Sequence, residues 1–109
     1  MPDWTDNKHT HKNYHTMEKK ILEKQVQMDC VIWLTARGWM VTKMGLNSQR
    51  GWPDFLALRN GQAAFIEVKR PGGQMAPLQV EMAKRLHRSG FVVLCIDDVK
   101  QLEGIDTLR

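Results

Sequence analysis

Between Met17 and Arg37 the apolar positions recur at three- and four-residue steps: Leu22, Val26, Cys30, Trp33 and Leu34, with Arg37 in phase. That period predicts an amphipathic helix, and Gly38 is placed to end it. The pattern then changes. Trp39 to Met44 (WMVTKM) reads as a strand, and Gly45 to Gly51 (GLNSQRG) as a polar loop. From Trp52 to Pro71 two apolar runs flank Asn60-Gly61. Asn-Gly suits a two-residue type I′ turn, which needs φ > 0 at both central positions, so this stretch is expected to be a β-hairpin. Gly72-Gly73 reads as a flexible link. A second helix is expected from Pro77 to about Ser89, with Pro77 in its first turn and Gln79, Met82, Ala83 and Leu86 on one stripe. Phe91 to Ile96 (FVVLCI) is continuously apolar and reads as a buried central strand. Asp97-Asp98 is placed to cap a short helix over roughly Val99 to Glu103, and Gly104 to Arg109 carries no clear signal.

The order α-β-β-β-α-β describes a small α/β domain with a central mixed sheet flanked by helices. Residues 17–109 are expected to form it. Residues 1–16, polar and aperiodic, read as a disordered tail. His9, His11 and His15 lie close together in that tail, which gives them no fixed geometry for a metal.

The hairpin carries the chemistry. With Asn60-Gly61 at the turn, Arg59 faces Gln62, Leu58 faces Ala63, and Asp54 faces Glu67. Alternation puts Asp54, Leu56, Leu58, Ala63, Phe65, Glu67 and Lys69 on one face, and Phe55, Ala57, Ala64, Ile66 and Val68 on the other. Two carboxylates thus oppose each other near the open end of an apolar hairpin. Directly opposed Cβ atoms lie about 4.5–5.5 Å apart, and like charges there are destabilising. A hard divalent cation such as Mg²⁺ between them would remove that cost. Lys69 shares the face and can approach the same point, which completes the outline of a phosphodiester-cleaving site. The alternative is structural: Asp54 starts a strand, and Glu67 and Lys69 form a solvated ion pair.

Composition narrows the partners. Lys and Arg total 16 against 12 Asp and Glu, a mild basic excess that permits a polyanionic partner without demanding one. No run reaches the apolar length of a membrane span and no signal peptide opens the chain, so a cytoplasmic protein is expected, with no membrane partner. Cys30 and Cys95 have no Cys-x-x-Cys spacing and read as small buried hydrophobes. Lys84, Arg85 and Arg88 make a basic flank on the second helix, either solvated or a phosphate-binding edge. Asn47, Ser48, Gln49 and Arg50 are candidates for backbone contacts to a phosphate. Glu23 adjoins the core-facing stripe of the first helix in line with Gln27, Cys30 and Leu34, and Glu18 is the weaker alternative acid. Gln79 at the head of an apolar stripe needs hydrogen-bond partners.

Gly51-Trp52-Pro53-Asp54 followed by Glu67-Val68-Lys69 resembles the PD-(D/E)xK nuclease superfamily. Glu23-Lys24-Gln25-Val26-Gln27 looks like its helix-one acid motif. Arg70-Pro71-Gly72-Gly73 and Gln79 look like the VRR-NUC (virus-type replication-repair nuclease) branch, in its stand-alone phage and bacterial form. The resemblance covers about Met17 to Leu102. It implies a restriction-endonuclease-like core and a metal-dependent DNA endonuclease, in a bacterial or phage-infected cell. It implies Asp54, Glu67 and the Val68 carbonyl as ligands of Mg²⁺ or Mn²⁺, with Glu23 binding through water or holding a second ion. Lys69 would orient or help deprotonate the attacking water, and Gln79 would steady the lysine or the scissile phosphate. Stand-alone members resemble Holliday-junction resolvases, which implies a homodimer acting on branched DNA. Trp52 is bulkier than the pattern leads one to expect. The rival readings are a DNA-binding module without catalysis, and a nuclease acting on RNA or single strands.

Overall fold

Asn60 and Gly61 both adopt positive φ, 50° and 77°, as a type I′ turn requires. The computed structural model describes residues 16–44 and 51–107. Around that turn, β2 (Phe55–Arg59) and β3 (Gln62–Val68) pair antiparallel in the anticipated register, Arg59 with Gln62 and Leu58 with Ala63. Continued by one residue past Phe55–Ile66, that register sets Asp54 against Glu67. A shorter strand, β1 (Met40–Lys43), pairs antiparallel with β2 at one edge, and β4 (Val92–Ile96) pairs parallel with β3 at the other. The sheet order is therefore β1-β2-β3-β4.

Alternation along the hairpin decides what packs where. Phe55, Ala57, Ala64, Ile66 and Val68 face α1 (Thr16–Ala36) and form one core with Val26, Cys30 and Leu34. Phe65 faces α2 (Pro77–Arg88) and forms a second core with Val80, Ala83 and Leu86. The hairpin is thus the middle layer of an α/β sandwich. Its central residues are nearly lost to solvent, with Ala57, Ile66 and Val68 each 0% exposed.

The β3-to-α2 connection departs from expectation. Gly72-Gly73 is a fixed turn and not a flexible link: Gly72 has φ 76°, Gly73 N–H donates to the Arg70 carbonyl at 2.8 Å, and Gly72 N–H donates to Asp97 Oδ2 at 3.0 Å. Pro71 followed by a positive-φ glycine is the type II turn pattern. Asp97 is thereby committed to this turn. Asp98 alone caps the following 3₁₀ turn, Val99–Leu102, by accepting from Lys100 N–H at 2.9 Å.

A second 3₁₀ turn, Ile105–Thr107, forms where the sequence carried no signal. Ile105 is buried in the α1-side core. Asp106 accepts from Trp39 Nε1 and pairs with Arg59, each at 3.0 Å. Residues 1–15 of the anticipated tail, with its histidines, and the phosphate-contact candidates Asn47 to Arg50 lie outside the described residues; Thr16, placed in that tail by the sequence, opens α1. No described helix is long and apolar enough to cross a membrane.

Candidate active site

Asp54 is the last residue before β2. Its carbonyl accepts from Met44 N–H at 2.7 Å, and its Oδ2 accepts from Val68 N–H at 2.8 Å. The backbone just past β1 thus holds the Asp54 main chain, and β3 backbone holds its carboxylate. The approach to it is equally constrained. Gly51 has φ 85°, and a Cβ there would collide with the Leu78 carbonyl at the start of α2. Only glycine meets both demands. Trp52, the bulky residue of the motif, packs the loop: its ring lies 6.0 Å from Phe65.

Glu67 is the only buried charged residue among those described, at 1% exposure. Its Oε1 accepts from Gln79 Nε2 at 3.3 Å and lies 3.8 Å from Lys69 Nζ, while its Oε2 is buried with no partner. Burial is the largest influence on its acidity. A hydrogen bond with Asp54 and the Asp54 charge add to it, and Lys69 opposes them. Together these push Glu67 up to about 9. The orphaned oxygen and the high value have one origin. An ionised Glu67 finds no donor for Oε2, whereas a neutral carboxyl can share its proton with Asp54.

Gln79 has the partners its position demanded. Its Oε1 accepts from Ala76 N–H at 2.8 Å, closing the first turn of α2, and its amide nitrogen reaches Glu67. One side chain thus starts the helix and holds the acid. Glu23 sits half-buried on α1 and touches none of these groups through a hydrogen bond. Burial raises its value, Lys69 and Arg70 counter that, and Asp54 adds to the rise, so it shares the field of the site. Cys95, paired with Glu67 in the parallel register, is only partly covered. Burial first and the Glu67 charge second push its thiol up to about 12, and burial does the same for Cys30. Both remain protonated, free thiols.

The structure brings Asp54, Glu67, Lys69 and Gln79 into one cluster, with the Val68 amide bonded to Asp54 and Glu23 at the margin. The elements missed from sequence are Ala76, whose amide anchors Gln79, and Asp97, which anchors the turn after Lys69. A Gln three residues after the residue ahead of a Pro-initiated helix is the signal that could have found the first. Among the described residues no three His, Cys, Asp or Glu side chains cluster as a metal site by themselves. Asp54 and Glu67 supply only two carboxylates. A hard cation at this point needs backbone or water oxygens to complete its shell, as Mg²⁺ habitually takes.

Comparison with known proteins fits this geometry. The chain is 33% identical over 78 residues to the protein named "Putative nuclease p44" of Acyrthosiphon pisum secondary endosymbiont phage 1, matching 71% of this chain and 84% of that protein. A solved structure described as a VRR_NUC domain superposes with TM-score 0.68 at 26% identity, covering 78% of this chain and 94% of the other. The chain belongs to the VRR-NUC nuclease family. No family model matches it. The family's small mixed sheet between helices is the fold described above.

Proposed function

We propose that this VRR-NUC domain is a divalent-metal-dependent DNA endonuclease, selective for branched or junction DNA and acting as a homodimer. The observation that carries the metal is Glu67. A buried carboxylate with one orphaned oxygen, set beside a second carboxylate that raises its acidity value, is costly to ionise unless a cation joins the pair. The donor set fits a hard ion: Asp54, Glu67 and the Val68 carbonyl would hold Mg²⁺ or Mn²⁺, with Glu23 contacting through water or a second ion. Bound there, the ion supplies a Lewis acid for the phosphoryl oxygen and an activated water. Lys69, 3.8 Å from Glu67, would orient the attacking water or help deprotonate it, and as an ammonium would offset the charge that builds on the phosphorus oxygens. Gln79 holds Glu67 in place and steadies Lys69 or the scissile phosphate.

Branched DNA and the dimer rest on the family resemblance to junction resolvases. A two-fold dimer presents two equivalent sites to symmetric strands. The basic side of α2, with Lys84, Arg85 and Arg88, suits the phosphate backbone beyond the cut.

The test is cleavage of supercoiled plasmid, linear duplex, a flap and a four-way junction, each with Mg²⁺, Mn²⁺ or EDTA, for the wild type and for folded Asp54→Ala, Glu67→Ala and Lys69→Ala variants. Metal-dependent cutting lost in all three variants is expected, with the junction or flap preferred. Full activity in a folded Asp54→Ala protein overturns the site. Salt-sensitive binding with no product in any metal supports a DNA-binding module instead, and preference for RNA or single strands moves the substrate class.

A further inference from the structure

The start of α2 carries an apolar tip that neither core uses. Ala76, Pro77 and Leu78 are all exposed, and Leu78 keeps 55% of its surface in solvent. A lone exposed leucine is ordinary. This one differs in where it stands and how firmly it is held. The next residue, Gln79, reaches Glu67 at 3.3 Å. The Leu78 carbonyl packs against Gly51, which leads directly into Trp52-Pro53-Asp54. Pro77 presets φ at the first helical position, and the Gln79 side chain closes on the Ala76 amide at 2.8 Å. Leu78 is therefore mounted on backbone tied to both members of the acidic pair. A rigid apolar side chain beside a phosphodiester-cleaving centre can enter the base stack, since Leu, Phe, Met and Pro wedges unstack a base step and kink the duplex.

We infer that Leu78 is a strand-separating wedge that enters the stack at the base step beside the cleaved phosphate. The inference rests on the DNA-nuclease reading above and places a specificity-determining residue within it. Opening a base step is easiest where pairing or stacking is already interrupted. The wedge therefore favours DNA with a flap, nick or junction over continuous duplex, and it does nothing for a single strand that has no partner strand to separate.

The experiment compares wild type, Leu78→Ala and Leu78→Met. Single-turnover cleavage is measured on a flap substrate and on a single-stranded oligonucleotide of the same sequence. In the non-cleaving Asp54→Asn background, 2-aminopurine at the step beside the cut reports unstacking on binding. Leu78→Ala is expected to slow flap cleavage about tenfold, the rate equivalent of about 1.4 kcal/mol, and to abolish most of the fluorescence rise. Leu78→Met keeps both, and single-strand cutting is unchanged. Equal slowing on flap and single strand, or a fluorescence rise that survives Leu78→Ala, overturns the wedge. Should the wild type cut nothing with either metal while the fluorescence rise still depends on Leu78, the wedge stands and the nuclease reading falls. With neither cutting nor unstacking, both fall.

Discussion

Gln79 Nε2 donates to Glu67 Oε1 at 3.3 Å while the same side chain's Oε1 accepts from Ala76 N–H at 2.8 Å. The first turn of α2 and the orientation of the buried acid are thus one structural unit. The two roles separate in the choice of substitution. Gln79→Glu keeps an acceptor for the Ala76 amide, and an acid suits the helix N-terminus, but it sets a third carboxylate against Glu67. Its thermal stability without metal is expected to stay near wild type at acid pH, while cleavage falls by about 10²-fold, the common cost of one misplaced charge-stabilising group. Gln79→Ala loses both bonds, which adds roughly 1 kcal/mol of destabilisation. Thermal melts alongside single-turnover cleavage distinguish the pair. A Gln79→Glu protein as active as wild type removes Gln79 from the machinery.

The acidity of Glu67 makes a pH statement about the metal-free protein. Its folded-state value, about 9, stands above the ordinary 4.5. Between those values the folded state holds a proton that the unfolded state has released, so the stability contributed is full below about pH 4.5 and is lost as the pH rises to about 9. The slope approaches a ceiling of about 1.4 kcal/mol per pH unit in that window. Glu67→Gln carries the neutral form permanently. It is expected to melt higher than wild type at pH 8 without metal, to converge with it at pH 4, and to cut nothing. Titrating Mn²⁺ into the wild type at pH 7 should release close to one proton, read by calorimetry in buffers of different ionisation enthalpy. A wild-type melting temperature that is flat from pH 5 to 8 contradicts the assignment.

The acidic pair of this site was legible from one turn dipeptide and the alternation of the hairpin. Asn60-Gly61 set the hairpin register, and a period of two then placed Asp54 and Glu67 opposite each other, as the paired strands now have it. What the chain did not announce depends on contacts between distant segments. Gly72 looked like a flexible link because glycine is permissive everywhere. Asp97, twenty-five residues away, is what makes it a fixed turn. Nothing local to Ile105 or Asp106 foretells a 3₁₀ turn, because what holds it is burial against α1 and a bond to Trp39. Glu23 was readable as an acid beside the core stripe. That it shares the field of Asp54 and Lys69 follows from how α1 crosses the sheet, which no local pattern encodes.

Glu23 is the site's outlying acid, and its substitution should differ in degree from that of the pair. It makes no hydrogen bond to Asp54, Glu67 or Lys69, yet burial and the Asp54 charge raise its value against the pull of Lys69. Glu23→Gln is expected to lower cleavage by roughly tenfold at low Mg²⁺ and to recover part of the loss at high Mg²⁺, as a group acting through water or on a second ion would. Rate against metal concentration gives the answer. A loss as deep as that of Asp54→Ala, unrelieved by metal, would make Glu23 an equal member of the inner set.

Gly51 tests whether the loop into Asp54 is held by shape. Its φ of 85° disfavours any side chain, and a Cβ would strike the Leu78 carbonyl. Gly51→Ala is expected to cost about 1–3 kcal/mol and to shift the Trp52-Pro53-Asp54 segment, so that cleavage falls even where the protein stays folded. The remote control is Arg59, whose guanidinium pairs with Asp106 at 3.0 Å, lies 4.7 Å over the Trp39 ring and donates to the Arg37 carbonyl. Arg59→Ala removes all three contacts at the turn end of the hairpin, away from Asp54 and Glu67. It should cost a comparable amount, about 1–2 kcal/mol, yet leave the cleavage rate of the folded protein within about twofold of wild type. Denaturant melts and single-turnover rates on the two variants therefore separate loss of fold from loss of geometry. Equal rates in Gly51→Ala and Arg59→Ala at matched stability would mean that the approach to Asp54 tolerates displacement, and that the glycine serves packing against α2 alone.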